Sequence, residues 1–259
     1  MRNKLSAYIL TGIILLVFSG CGDSIVSDGD DTQYTIYGML FHNPNTDKSF
    51  CYGVFKNEGQ PIPSLQADLV MTDSDSVRLL TIGGGAHLTS ANSLELEPDS
   101  SYLLRADDDR GDFFLVKSLY IPDTFRVTVN QPPSRIYQTG TVVITWNPPT
   151  DTVDYFVTVE PPGENVTPYA IFPTGNTATF GPEVFTRSDG ERVTGIYKFY
   201  VVAYHQTFYA DAVIEDDDHI FFPYPDTGFV DNIDELEKSG RFGSAIISYY
   251  DSVEVVAEP

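Results

Sequence analysis

Three features of the sequence predict an all-β protein. Aromatic residues make up 13% of the chain, with 17 Phe and 16 Tyr, and residues of this kind favour strands. The 17 Pro and 20 Gly supply many turns. From Gln33 onward, short apolar runs alternate with turn clusters at intervals of about ten residues, a spacing typical of a β-sandwich or barrel. At 259 residues the chain is long enough for two such units.

Residues 1–20 have the three parts of a secretory signal peptide. A basic start with Arg2 and Lys4 precedes an apolar run over 7–18, and the small pair Ser19-Gly20 follows. The run is about a dozen residues long, whereas a helix needs about 20 to span a bilayer, so a retained transmembrane anchor is the weaker alternative. We therefore expect the leader to be removed.

The cleavage region ends in a cysteine. The stretch Val17-Phe18-Ser19-Gly20-Cys21 resembles the bacterial lipobox, in which Leu, Ala or Ser, and Gly or Ala precede an invariant Cys. Phe18 replaces the usual Leu, and the other positions match. The resemblance implies cleavage before Cys21, a diacylglycerol thioether on its sulfur and a further acyl chain such as palmitate on its amino group. Two or more chains anchor stably, since each buried methylene contributes about 0.8 kcal/mol. The alternative is an ordinary signal peptide followed by an incidental cysteine.

Residues 21–32 are small, polar and acidic, without helix or strand periodicity, and predict a flexible lipidated tether. Gly22 follows Cys21 where the inner-membrane retention signal of bacterial lipoproteins has Asp. The resemblance therefore implies a place in the bacterial cell envelope, lipid-anchored at the outer membrane.

The range 33–122 is expected to form an N-terminal β-sandwich domain. Within it, Leu96-Glu97-Pro98 followed by Tyr102 resembles the tyrosine corner of Ig-like folds, in which the Tyr hydroxyl bonds back to the preceding loop. Seven strands are predicted, each bounded by turn residues: Tyr34 to Phe41, Ser49 to Phe55, Ala67 to Thr72, Val77 to Ile82, Ser93 to Leu96, Ser101 to Ala106 and Phe113 to Tyr120.

The range 123–259 is expected to form a second domain, beginning with a strand at Phe125. Its segments Thr141 to Pro149, Asp154 to Val159 and Tyr197 to Tyr204 resemble strands B, C and F of a fibronectin type III domain. The resemblance implies that Trp146 is a core aromatic. The sequence departs from the family before Tyr197, where the Leu and Pro of the corner are missing. The whole mature chain is thus predicted to be two Ig-like β-sandwich domains.

An insertion is predicted at about 215–239, between strands F and G. It begins with an acidic run, continues with an aromatic run and contains a helix candidate from Asn232 to Lys238, which Asp231 would cap. The last apolar runs, Ala245 to Tyr249 and Ser252 to Val256, would supply strand G.

Charge and cysteine usage exclude several functions. The net charge is −22, and loss of Arg2 and Lys4 with the leader would make it −24, which strongly disfavours nucleic acid as a partner. With Cys21 lipidated, Cys51 is left alone and no internal disulfide can form. Cys51 lies in a strand-like run and is predicted to be buried and inert.

The chemistry of the chain predicts no enzyme, cofactor or metal. No hydrolase, kinase or nucleotide-binding motif occurs, and the four histidines lack metal-ligand spacing. Two acidic clusters, 107–112 and 215–218, could offer oxygen ligands to Ca²⁺, but runs of like charge are more often solvated loops. An enzyme whose paired carboxylates come from distant loops is a remaining alternative.

The sequence favours a non-catalytic binding or structural module, held at the membrane through lipid on Cys21 and presenting itself to a protein or glycan partner in the envelope or outside the cell. A glycan-binding accessory is the alternative, since exposed aromatic rings stack on sugars. The possible ligand-binding residues are the aromatics of the insertion, although such aromatics more often pack onto the sandwich. They are Phe221, Phe222, Tyr224 and Phe229.

Overall fold

The computed structural model describes residues 33–72, 75–89, 94–130, 135–148, 153–163, 169–173, 175–187, 189–209, 230–233, 235 and 237–259. These residues form 17 strands. In chain order they are β1 (Tyr34–Asn43), β2 (Lys48–Asn57), β3 (Gln60–Pro61), β4 (Gln66–Thr72), β5 (Asp75–Gly83), β6 (Ala86–Leu88), β7 (Ser100–Asp107), β8 (Phe114–Ile121), β9 (Val127–Val129), β10 (Arg135–Tyr137), β11 (Val142–Trp146), β12 (Asp154–Glu160), β13 (Tyr169–Ile171), β14 (Thr177–Phe180), β15 (Gly195–His205), β16 (Lys238–Ile247) and β17 (Asp251–Val256).

The all-β prediction is confirmed. The one helical element of the described ranges is a 3₁₀ turn at Pro182–Phe185, so these ranges contain no helix long and apolar enough to cross a membrane. The predicted helix from Asn232 to Lys238 is wrong. The amides of Asn232 and Ile233 both donate to the carbonyl of Gly240, and Lys238 is the first residue of β16. These backbone groups are therefore not hydrogen-bonded as they would be in a helix.

A second prediction, a strand from Ser93 to Leu96, is also wrong for its described part, since residues 94–97 have no strand partner. Leu94 and Leu96 are nonetheless buried. Leucines and glutamates alternate here, as they would in a half-buried strand, because this irregular segment also buries every second side chain.

The larger of the two sheets in the described ranges has 14 strands, and eight of them form a curled run in the order β16-β1-β2-β6-β5-β4-β7-β8. The sheet folds over on itself, so that Phe113, just before β8, contacts both Tyr34 and Phe55, with ring centroids 5.0 and 6.3 Å apart. Strands β16 and β8, the two ends of this run, meet where the Ser244 hydroxyl donates to the carbonyl of Tyr120 at 2.5 Å. The result is a double layer around a buried apolar core.

The C-terminal part has the strand arrangement that the resemblance predicts. Strands β9, β11 and β14 form a separate three-stranded sheet, while β12 and β15 pair within the 14-stranded sheet. The two sheets pack through aromatic pairs, Trp146 with Tyr155 at 5.8 Å and Phe180 with Phe199 at 5.4 Å. Trp146 is 4% exposed, which confirms it as a core aromatic. Strands B, C and F correspond to β11, β12 and β15.

Strand β16 links the two parts of the chain. It runs parallel to β1, from Tyr34 beside Lys238 to His42 beside Ile246, and antiparallel to the end of β15. Beyond it, Ser248 continues the pairing, because its amide donates to the Val201 carbonyl and its hydroxyl accepts from the Val201 amide. A single apolar cluster contains core residues from both predicted domains. The boundary between 122 and 123 stays a prediction.

Two tyrosines tie loops to the strands that follow them. The Tyr102 hydroxyl accepts from the Glu97 amide at 2.6 Å and donates to the Glu97 carbonyl at 3.2 Å, so the predicted tyrosine corner is confirmed. The Tyr197 hydroxyl donates to the Val193 carbonyl at 3.1 Å. Tyr197 therefore has a corner-like bond although the Leu and Pro of the motif are missing.

Candidate functional site

The predicted site residues lie outside the described residues. This is so for Cys21 and for Phe221, Phe222, Tyr224 and Phe229. Their roles remain predictions. The structure does describe the residues on either side of the 210–229 segment, and these define where the predicted insertion leaves the fold.

Hydrogen bonds hold the two ends of the 210–229 segment together. The Thr207 hydroxyl donates to the Val230 carbonyl, and the Asn232 side-chain amide donates to the Thr207 hydroxyl at 2.9 Å. The Asn232 carbonyl and side-chain oxygen both accept from Lys117, at 2.9 and 3.1 Å, and the same side-chain oxygen accepts from the Phe242 amide. Asn232 is thus the point at which β8, β16 and the end of the segment meet. No sequence motif indicated this role, because Lys117 lies 115 positions away.

Aromatic rings surround the start of the segment. Phe208 is buried against Phe156 and Tyr204, with ring centroids 6.2 and 5.8 Å apart. Tyr209 contacts Tyr37 of β1 at 5.1 Å, and the Arg241 guanidinium lies 5.5 Å from the Tyr209 ring. These rings form part of a second apolar cluster on the other face of the central strands. The last described residues before the segment are therefore packed among aromatic side chains.

Two titratable side chains near Asn232, Lys117 and His205, are partly buried. Burial lowers the pKa of Lys117, and Glu235 acts in the opposite direction. Burial also lowers the pKa of His205, and the nearby Lys117 charge lowers it further. The His205 ring meets Tyr120 edge-on at 5.7 Å. A lysine that donates two hydrogen bonds to Asn232 orients the backbone, and it has no free lone pair for chemistry while it stays charged.

One serine and histidine pair invites a catalytic interpretation. His42 Nδ1 and Ser49 Oγ lie 2.9 Å apart, on residues that pair directly across β1 and β2. Both residues are about 5% exposed, and burial lowers the pKa of His42. Among the described residues no carboxylate hydrogen-bonds to this histidine, so the orienting acid of a catalytic triad is missing there. The pair satisfies two buried polar groups within a sheet.

The acidic loop at 107–112 is closed by hydrogen bonds between Asp108 and Phe113. The Phe113 amide donates to the Asp108 carboxylate at 3.2 Å and the Asp108 amide donates to the Phe113 carbonyl, which closes the loop between β7 and β8. Across the part of the chain that the structure covers, no three His, Cys, Asp or Glu residues are grouped as metal ligands. The acidic cluster at 215–218 lies outside it.

Cys51 is fully buried, as predicted. Its thiol is 0% exposed and burial raises its pKa, so the reactive thiolate is disfavoured at neutral pH. The backbone amide of Cys51 donates a hydrogen bond to the Thr89 hydroxyl at 3.0 Å, so the residue is also held in place by the sheet.

No protein-family model and no curated protein matches the chain. Similar solved structures include the fibronectin(III)-like modules of Clostridium thermocellum CbhA, 13% identical over 87% of this chain and 94% of that chain, with a TM-score of 0.29. Tandem Ig domains of titin are 11% identical over 65% of this chain and 88% of that chain, with a TM-score of 0.25. Murine CEACAM1b is 7% identical over 85% and 100%, with a TM-score of 0.24. Likenesses this distant carry no argument, and the β-sandwich architecture depends on the strands and sheets described above.

Proposed function

We propose that the protein is a lipid-anchored lipoprotein of the bacterial cell envelope, placed at the outer membrane, that acts as a non-catalytic binding or structural module. The observation that carries the proposal is the position of Cys21 directly after the lipobox-like stretch. The first strand, β1, begins at Tyr34, 13 residues after Cys21. A chain of that length reaches at most about 45 Å, so the sandwich would stay close to the membrane surface.

The described chemistry supports a module rather than an enzyme. The buried pair of His42 and Ser49 lacks an orienting acid among the described residues, and the Cys51 thiol is buried with a raised pKa. These residues are therefore best explained by packing and hydrogen bonding within the sheet. In a β-sandwich of this kind, binding is carried by loops and exposed faces that the sheets hold rigid.

Lipidation is tested by two matched cysteine variants. Cys21→Ser should leave the protein unacylated and in the soluble fraction, whereas Cys51→Ser should keep the label, because Cys51 is buried in β2 and offers no accessible thiol. Metabolic labelling with a fatty-acid analogue measures the difference. Label retained by Cys21→Ser would refute the lipoprotein proposal.

A glycan-binding role is the second candidate, because the predicted ligand residues are aromatic and aromatic rings stack on sugars. The hydrogen bonds of Thr207 with Val230 and Asn232 bring together the described residues on either side of the segment that contains Phe221, Phe222, Tyr224 and Phe229. A glycan array with the parent and Tyr224→Ala tests this role. Binding that is lost in the variant supports it, and an empty array leaves a protein partner as the proposal.

A further inference from the structure

The outward surface of strands β5, β4, β7 and β8 is an exposed sheet face with several large apolar side chains. We refer to it as the outer face. Leu80 is 54% exposed, Phe114 50%, Val116 39% and Leu103 37%. The neighbours of these residues along each strand, such as Leu79, Leu104 and Leu115, are buried. This part of the sheet therefore has apolar side chains on both of its faces, although only the inner face belongs to the core.

The middle of the outer face carries two positive and two negative charges. Arg78 pairs with Asp68 at 2.6 Å, and Arg105 lies 3.8 Å from Asp107. The Arg105 guanidinium also lies 5.8 Å from the ring of Phe114. The face is therefore electrically neutral, in a chain whose net charge is −22. Contact at this face therefore adds no local excess of like charge, and salt screens the repulsion between the rest of the two chains.

The strand register arranges the outer face in rows. In the central row, Arg78, Asp68, Arg105 and Val116 lie side by side across the four strands. The row on one side has Ser76, Val70, Leu103 and Ser118, and the row on the other has Gln66, Asp107 and Phe114. Leu80, two residues beyond Arg78 on β5, extends this last row.

These rows are complementary to themselves. If a second copy is turned over about an axis that runs along the strands between β4 and β7, then β4 lies opposite β7 and β5 lies opposite β8. Asp68 then faces Arg105 of the other copy, and Arg105 faces its Asp68. By the same operation the apolar residues of the outer rows meet apolar residues. They are Val70 opposite Leu103 and Leu80 opposite Phe114. The operation also places Arg78, which pairs with Asp68 of its own chain, opposite Val116, and Gln66 opposite Asp107.

We propose that the outer face binds a second copy of this chain in a two-fold symmetric, face-to-face dimer. An isologous contact needs a surface that is complementary to itself, and the register supplies one. Two sheets that pack in this way lie about 10 Å apart, within reach of Arg and Asp side chains. The contact involves one face of four strands in each copy, so we expect a dimer whose population depends on protein concentration.

Charge reversal tests the proposed pairing of Asp68 with Arg105. In Arg105→Asp the dimer would place two carboxylates opposite each other twice, and in Asp68→Arg it would place two guanidinium groups opposite each other twice. Each variant alone should dimerise at least tenfold more weakly than the parent. A mixture of the two variants should form heterodimers of near-parental affinity, because both contacts are then of opposite sign. Sedimentation equilibrium of the full chain in detergent solution measures all three.

A matched control is Ile196→Asp, which places a charge on an apolar residue that is 60% exposed on β15, away from the outer face. It should leave the dimer unchanged. Circular dichroism checks that each variant is folded, since the Asp68 side chain is only 23% exposed and Asp68→Arg also removes the ion pair with Arg78. A parent that stays monomeric at all concentrations would overturn the proposal. So would a dimer that tolerates Arg105→Asp, or a mixture of the two variants that remains monomeric.

Discussion

Single residues with a specific geometric task were the easiest to predict. Tyr102 stands in a seven-residue motif, and its hydroxyl makes both hydrogen bonds that a tyrosine corner implies. The resemblance to a fibronectin type III domain implied that Trp146 is a core aromatic, and it is buried. By contrast, Asn232 collects hydrogen bonds from three parts of the chain without any motif. Its role depends on distant residues, so no local pattern could show it.

Tyr102→Phe should lower the free energy of unfolding by about 1–3 kcal/mol, because it removes two hydrogen bonds and leaves the Glu97 backbone groups without that partner. Tyr197→Phe is the matched control, since it removes the single bond to Val193 and should cost less. Urea unfolding of both variants gives the comparison. Equal losses would mean that the Tyr102 corner has no special weight.

At the level of elements, most of the long strands could be predicted and most of the short ones could not. An exception is β16, which was predicted as a strand only from Ala245 although it begins at Lys238. Strands such as β7 and β12 have several residues in alternation, and their predicted bounds differ from the observed ones by one residue. Five strands of two to four residues were missed, because so few residues show no period. They are β3, β6, β10, β13 and β14. The parallel pairing of β16 with β1 was missed for another reason, since the partners are about 200 positions apart.

That pairing depends on Gly240. Its φ is +125°, and a Cβ atom there would lie 1.9 Å from the carbonyl oxygen of Ile36 on β1. Gly240→Ala should therefore force β16 away from β1. Gly83→Ala is the control, because its φ of +115° is close to that of Gly240 but nothing lies within 4 Å of the added atom. The control should cost about 1–2 kcal/mol and Gly240→Ala clearly more, as thermal unfolding would show. A similar loss in both would rule out the steric argument.

For the whole molecule, the buried histidines predict how stability depends on pH. Burial lowers the pKa of His42, His87 and His205, so the folded protein takes up protons less readily than the unfolded chain. Stability should therefore fall as the pH drops below about 6.5, the value for an unfolded histidine. Urea unfolding at about pH 8 and about pH 5.5 measures the change. His87→Gln should reduce it, and a more stable protein at the lower pH would contradict this account.

The last prediction concerns the cooperativity of the chain, which bears on the predicted boundary between 122 and 123. β16 supplies the second partner of β1, and Phe242 on β16 is fully buried in the same apolar cluster as Ile36 and Leu40. A fragment of residues 33–122 would lack both, so its β1 edge would be open and its core incomplete. We expect this fragment alone to show no cooperative unfolding.

The full chain should then unfold in a single calorimetric transition, because the sheet that contains β1 cannot survive the loss of β16, which also pairs with β15. The Gly240→Ala variant offers an internal check, since weakening the β1 and β16 contact should lower the one transition rather than divide it. Two separate transitions in the parent, together with a sigmoidal unfolding curve for the fragment, would show instead that residues 33–122 are an independent domain to which β16 is only an accessory strand.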